Sequence, residues 1–113
     1  MRFRIYYLDD EAHLCTIFKE FIDSNDIKVT TFTDANEAIA KCIDEPPDLI
    51  FIDYRLTDTT GEDVAQLLAE SIPKILVTGD LISPGSLLFL RVIHKPYKLA
   101  ELKKVINQCL KIS

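Results

Sequence analysis

Five polar residues fall where short apolar runs stop. Asp9 and Asp10 follow the run Phe3–Leu8, and Asp53 closes Asp48–Asp53. Thr78 closes Lys74–Thr78, and Lys95 follows Arg91–His94. Three carboxylates gathered at one point repel strongly and call for a cation at neutral pH. Carboxylate, carbonyl and water oxygens suit a hard ion such as Mg²⁺ (or Mn²⁺). Such an ion would screen Asp53 and bridge it to an incoming phosphoryl oxygen. Carboxylates can themselves accept phosphoryl groups. The hydroxyl of Thr78 and the ammonium of Lys95, facing the same point, would cradle the remaining oxygens. The set reads as a magnesium-assisted aspartyl-phosphate site, provided the fold brings its members together.

Taken singly, each residue has a plainer role. An Asp pair after a strand often caps a helix, and Asp10 or Glu11 is placed to do so. Asp53 alone is a satisfied strand-end carboxylate, Thr78 a turn hydroxyl and Lys95 a solvated charge. The joint arrangement is what carries the argument. His13, at the exposed start of a helix, and His94, beside Lys95, are read as non-catalytic.

The elements that must position this set follow from hydrophobic period. FRIYYL, IKVTTF, DLIFID, KILVT and RVIH are short runs rich in β-branched and aromatic residues, and read as strands. Leu-Ile-Phe-Ile within the third is continuously apolar, as suits a strand covered on both faces. Between the strands, apolar residues recur at helical spacing. Leu14, Ile17, Phe18, Phe21 and Ile22 mark one helix. Ala35, Ala38, Ile39, Cys42 and Ile43 mark a second, with Thr33 or Asp34 as N-cap and a stop at Pro46-Pro47. Thr57–Gly61 reads as a loop. Val64, Leu67 and Leu68 mark a third helix ending near Pro73. Leu99, Leu102, Val105, Ile106, Cys109 and Leu110 mark the last. Strand–helix alternation implies right-handed crossovers and a parallel sheet with helices on both faces. Ligands of such sheets bind beyond the strand C-termini, where all five polar residues fall.

Length and composition agree. The chain has 113 residues, enough for one domain over 1–113 with its own core. Hydrophobic residues make up 48% and charged residues 27%, which excludes a disordered or low-complexity chain. The apolar runs fall well short of the ~20 residues that span a bilayer, so no membrane insertion is expected. A net charge of −5 argues against direct nucleic-acid binding. Cys15, Cys42 and Cys109 form no CxxC pair and read as reduced core thiols.

With these motifs the chain resembles a response-regulator receiver domain of two-component signalling, over essentially its whole length. LDDE at 8–11, DLIFIDYRL at 48–56, Gly61, VTGD at 77–80 and HKPY at 94–97 carry the resemblance. It implies a flavodoxin-like five-stranded parallel sheet of order 2-1-3-4-5. Asp53 would be the phosphoryl acceptor. Asp10 would bind Mg²⁺ directly, Asp9 directly or through water, and the backbone carbonyl of Arg55 would add a ligand. Thr78 would bond the phosphoryl group and shift with it, and Lys95 would pair with phosphate and Asp53. Gly79 would leave room for the phosphoryl oxygens. The bond before Pro96 would be cis.

Three features depart from that family. Only residues 79–94 separate Thr78 from Lys95, with Ser83-Pro84-Gly85 among them. A fourth helix is therefore expected to be one or two turns starting near Pro84, or missing. Within SLLFL at 86–90, Leu87, Leu88 and Phe89 either plug the core or form a patch for a partner or a second copy. Val92 stands where receivers usually carry Tyr or Phe, and Tyr97 is no obvious substitute. Arg55 and Asp80 flank the pocket with opposite charges, so a salt bridge limiting the access of water is expected. Tyr54 would also shield the acceptor.

The resemblance implies a cytoplasmic switch rather than a metabolic enzyme. Its donor would be a histidine kinase or histidine phosphotransfer protein, and its target a downstream protein or a fused output domain. A degenerate receiver used as a constitutive interaction or dimerisation module, such as a homodimer, is the alternative. A metal-dependent phosphatase with an aspartyl nucleophile ranks last, because Arg55 stands where such enzymes carry a second aspartate.

Overall fold

The structure, a computed structural model, describes residues 2–80 and 88–111. The element order is β1 (Phe3–Leu8), α1 (Ala12–Ile22), β2 (Ile27–Phe32), α2 (Ala35–Asp44) and β3 (Leu49–Asp53). There follow β4 (Arg55–Leu56), β5 (Thr59–Thr60), α3 (Gly61–Leu67), β6 (Lys74–Thr78), β7 (Arg91–His94) and α4 (Leu99–Leu110). The main sheet is parallel throughout, in the order β2-β1-β3-β6-β7. With the β4–β5 ribbon left out of the count, this is the predicted order 2-1-3-4-5. Four helices flank it among the described residues. The predicted helix near Pro84 falls in 81–87, outside the described residues.

Alternate residues of each central strand face opposite sides, so the sheet separates two apolar layers. Ile5, Tyr7, Leu49, Phe51, Ile75 and Val77 pack with α1 and α4. Tyr6, Leu8, Ile50, Ile52 and Leu76 pack with α2 and α3. Every residue of β3 and β6 is buried, which explains their unbroken apolar centres. Leu88 and Phe89 join the second layer, so this part of SLLFL serves the core, while Leu90 is exposed.

Several boundaries differ from expectation. The loop predicted at 57–61 contains an antiparallel ribbon, Arg55 opposite Thr60 and Leu56 opposite Thr59. Asp58 turns the ribbon in the left-handed region (φ 64°), which Asp tolerates. The third helix stops at Leu67, whose side chain is exposed; Leu68, extended beyond it, takes the buried place. Ile43 and Phe21, at the margins of their helical stripes, are exposed too. The buried stripe of each helix is thus narrower than its apolar content. Asp34 caps α2 by accepting from the N–H of Glu37 at 3.0 Å, and Thr60 caps α3 through Asp63 at 3.2 Å. At α1 the side chain of Glu11 caps nothing; instead its N–H donates to Asp9 Oδ1 at 3.0 Å. All three cysteines are free.

Gly61 is required by close approach. A Cβ there would lie 2.6 Å from the carbonyl oxygen of Asp53 and 3.0 Å from Leu76 Cδ1. The N–H of Gly61 donates to the carbonyl of Tyr54 at 2.7 Å, which holds the segment down on the end of β3. Backbone cannot yield as a flexible side chain can. Gly61→Ala is therefore expected to cost about 1–3 kcal/mol by overpacking. Chemical denaturation would measure it; a stability equal to that of the parent would contradict the geometry.

Candidate functional site

Sheet register assembles the polar residues. Leu8 pairs with Ile52, so Asp9 emerges beside Asp53. Asp53 pairs with Val77 and Thr78 with His94, which brings Thr78 and Lys95 to the same edge. The backbone locks these ends. Tyr54 donates to the carbonyl of Val77 at 2.8 Å, and the N–H of Lys95 donates to that of Thr78 at 2.8 Å. The Lys95–Pro96 peptide is cis, as expected.

The carboxylates of Asp9, Asp10 and Asp53 offer oxygens that all lie within 4.8 Å of one another. Asp9 and Asp53 are buried and Asp10 is exposed. Lys95 Nζ sits between the two buried acids, 3.1 Å from Asp9 Oδ2 and 3.0 Å from Asp53 Oδ1. Burial pushes the Asp53 carboxyl up to about 6, and the charges of Asp9 and Asp10 add to this against the pull of Lys95. Burial alone would lower the pKa of Lys95; its hydrogen bond to Asp53 and the charge of Asp9 outweigh that and raise it. The donor set is all oxygen, anionic and crowded, with one lysine against three acids. It fits a hard divalent cation. The exposed Asp10, whose carboxylate has, among the described residues, the hydroxyl of Thr57 alone at 3.5 Å, is the member most open to a ligand.

Above these groups lies a cleft of about 330 Å³, lined by Asp10, Asp53, Thr78, Gly79 and Lys95. Thr78 Oγ1 accepts from the N–H of Asp80 at 3.0 Å, which leaves the hydroxyl proton for another acceptor. Among the described residues, a Cβ on Gly79 would meet Lys95 Cβ alone, at 3.9 Å. Arg55 and Asp80 meet across the mouth in a two-pronged pair, Nε to Oδ2 at 2.6 Å and an Nη to Oδ1 at 3.1 Å. Their hydrogen bond holds the Asp80 carboxyl below its ordinary value and raises the guanidinium. Tyr54 is half-buried and packs against the core layer of α2 and α3.

His13 and His94 are exposed, and neither lines the cleft. Val92 is 36% exposed on β7. One partner of the site escaped the sequence reading: Tyr7, whose hydroxyl donates to Asp9 Oδ2 at 3.2 Å and lies 2.9 Å from that of Tyr97. The available signal was spacing, because residues two apart on a strand share a face.

The sequence matches the family described as the response regulator receiver domain over residues 5–107. The chain belongs to this family. Among curated relatives it is 28% identical over 94 residues to a protein-glutamate methylesterase/protein-glutamine glutaminase of Thermotoga maritima, covering 80% of this chain and 27% of that protein. It is 29% identical over 68 residues to the regulatory protein LuxO of Vibrio cholerae, covering 60% and 15%. The chain therefore spans about a quarter or less of these relatives. Among solved structures, a CheY-like receiver domain protein from Methanospirillum hungatei superposes with a TM-score of 0.89 at 24% identity, covering 98% of this chain and 95% of that one. The response regulator domain of Thermotoga maritima CheB gives 0.83 at 23% identity, covering 100% and 99%. The fold is thus the flavodoxin-like fold of CheY-like receivers. No helix among the described residues is long and apolar enough to cross a membrane.

The crowding of Asp53 has a consequence for stability. Its raised pKa means the fold binds more protons than the unfolded chain between about pH 4 and 6. Stability then falls as pH rises through that window. In EDTA at pH 7.5, Asp53→Asn is expected to be more stable than the parent by roughly 1–2 kcal/mol. The gap should close below about pH 4. Thermal unfolding across pH would check this; a parent equal to the variant at pH 7.5 would refute it.

Proposed function

We propose that this receiver domain is a phosphoryl-accepting switch that takes the group on Asp53. The observation that carries the reading is Lys95 Nζ bonded to both Asp9 and Asp53 beneath a cleft lined by Thr78 and Gly79. Asp10 and Asp53 would hold Mg²⁺ or Mn²⁺, with the carbonyl of Arg55 and with Asp9 directly or through water. Bound there, the ion supplies charge neutralisation and polarises a phosphoryl oxygen.

The chain's own groups do the rest. A carboxylate oxygen of Asp53 attacks phosphorus of a phosphohistidine on a kinase or phosphotransfer partner. An O–P bond forms as the P–N bond breaks, and the imidazole leaves with the electron pair. The Lys95 ammonium and the Thr78 hydroxyl receive the equatorial oxygens where negative charge is spread. The product adds charge and acceptor oxygens next to Thr78, which biases the adjacent loops and so the affinity for a downstream protein or output domain. On this reading the domain works in the cytoplasm as a signalling component, with self-catalysed transfer and hydrolysis but no metabolic substrate.

Intact mass after incubation with acetyl phosphate tests this directly. The expected result is a Mg²⁺-dependent gain of one phosphoryl group that is lost in Asp53→Asn. No gain by the folded parent would favour a constitutive interaction module, and a gain that survives in the variant would mean a different acceptor.

The Arg55–Asp80 pair bears on the lifetime of the product. It spans the side from which water must reach the phosphorus. Asp80→Ala frees Arg55 and is expected to shorten the phosphoryl lifetime a few-fold, followed by decay of the added mass. An unchanged lifetime defeats the shielding role.

A further inference from the structure

Tyr7 and Tyr97 have no part in the mechanism above, yet Tyr7 reaches the buried Asp9 and Tyr97 reaches Tyr7. Tyr7 lies on β1 in the same face as Asp9. Its buried ring stacks on Phe18, with centroids 4.2 Å apart and planes 17° from parallel. Its hydroxyl touches Asp9 Oδ2 at 3.2 Å and the Tyr97 hydroxyl at 2.9 Å. A phenol has one proton to give. Tyr7 gives it to Asp9, so Tyr97 must donate to Tyr7. The chain of bonds therefore runs from half-buried Tyr97 through Tyr7 to Asp9. The same carboxylate takes Lys95 on Oδ2 at 3.1 Å and the N–H of Glu11 on Oδ1 at 3.0 Å.

The geometry points to Tyr7 as a positioning residue for the cation site, its hydroxyl fixing the Asp9 carboxylate and being fixed in turn by Tyr97. This inference rests on the reading of Asp9, Asp10 and Asp53 as a divalent-cation site. Without the Tyr7 hydroxyl, Asp9 Oδ2 keeps Lys95 alone among the described residues. That ammonium is shared with Asp53, so it shifts towards Asp9, and the carboxylate is freer to turn. Hydrogen bonds that orient metal ligands commonly matter 10–100-fold in affinity.

The test is calorimetric titration with Mg²⁺ alone at pH 7.5, on the parent, Tyr7→Phe, Tyr97→Phe and the double variant. Phenylalanine keeps the stacked ring and removes only the hydroxyl. Tyr7→Phe is expected to bind Mg²⁺ about tenfold more weakly and Tyr97→Phe about threefold, at the lower end of that range. The double variant should be no weaker than Tyr7→Phe, because Tyr97 acts through Tyr7. Thermal unfolding in EDTA runs alongside, since a purely structural role would move the melting temperature and leave Mg²⁺ affinity alone. Unchanged affinity in either single variant overturns the inference, as do losses that multiply in the double variant. A parent that binds no Mg²⁺ overturns the cation reading and this inference with it. If Tyr7→Phe does not fold, Tyr97→Phe carries the test alone, because its half-buried ring leaves the core intact.

Discussion

The site depends on one ammonium group held between two buried carboxylates. Burying a carboxylate is costly unless it is paired and hydrogen-bonded. Asp9 and Asp53 are both buried, and Lys95 is bonded to each. Removing the Lys95 ammonium would leave both acids buried and unpaired, a change that typically costs roughly 3–5 kcal/mol, and the partial exposure of Lys95 trims that figure. The pairing is also incomplete by design of the charges: one lysine faces three acids. The residual negative charge makes a divalent cation a natural complement of the cluster.

Precision at this site comes from the sheet rather than from the loops that line the cleft. β3 and β6 are buried along their whole length, and their register sets Asp53 beside Thr78. Lys95 leaves the edge strand β7, yet its N–H is bonded to the Thr78 carbonyl, so it inherits the position of β6. Gly61 lets α3 begin against the end of β3, where any side chain would push on the Asp53 backbone. Asp53 is thus pinned from the core, while Gly79, Asp80 and Arg55, which shape the opening, lie on segments the sheet does not enclose.

Most of this was legible in the sequence because it rests on period and on strand ends. β-branched runs, helical stripes and the polar residue that closes each run give a parallel sheet and the convergence of Asp9, Asp10, Asp53, Thr78 and Lys95, while the strand order came from the family resemblance. The Arg55–Asp80 pair was legible from charge together with the positions that the family resemblance sets beside the pocket. What was not legible depends on contacts that no local pattern encodes. Leu67 and Leu68 are equivalent as apolar residues, and only the chain reversal after α3 decides which is buried. The β4–β5 ribbon is two residues a side, too short for alternation to show. Tyr7 reads as one more aromatic in an apolar strand, since its ring does pack in the core. Its hydroxyl matters only because Asp9 and Tyr97 meet it, and Tyr97 comes from the far end of the chain.

The exposed Val92 bears on how a signal would leave the site. An aromatic at that position would give Thr78 a bulky neighbour to move, and here the position holds Val92. The hydroxyl of Thr78 is instead bonded to the N–H of Asp80, and Asp80 is bonded to Arg55. A phosphoryl group on Asp53 that draws the Thr78 hydroxyl towards itself competes with the Asp80 N–H for that oxygen's orientation. Any adjustment of Asp80 is then felt by Arg55, at the start of the β4–β5 ribbon, through two hydrogen bonds. On the proposed function, the two segments that shape the cleft would be coupled by these polar contacts. Such contacts are partly exposed and each is weak, so the coupling they carry is graded and open to competition by water and salt. On the proposed function, this domain would report its phosphorylation through the opening of the cleft itself, on the surface formed by Arg55 and Asp80.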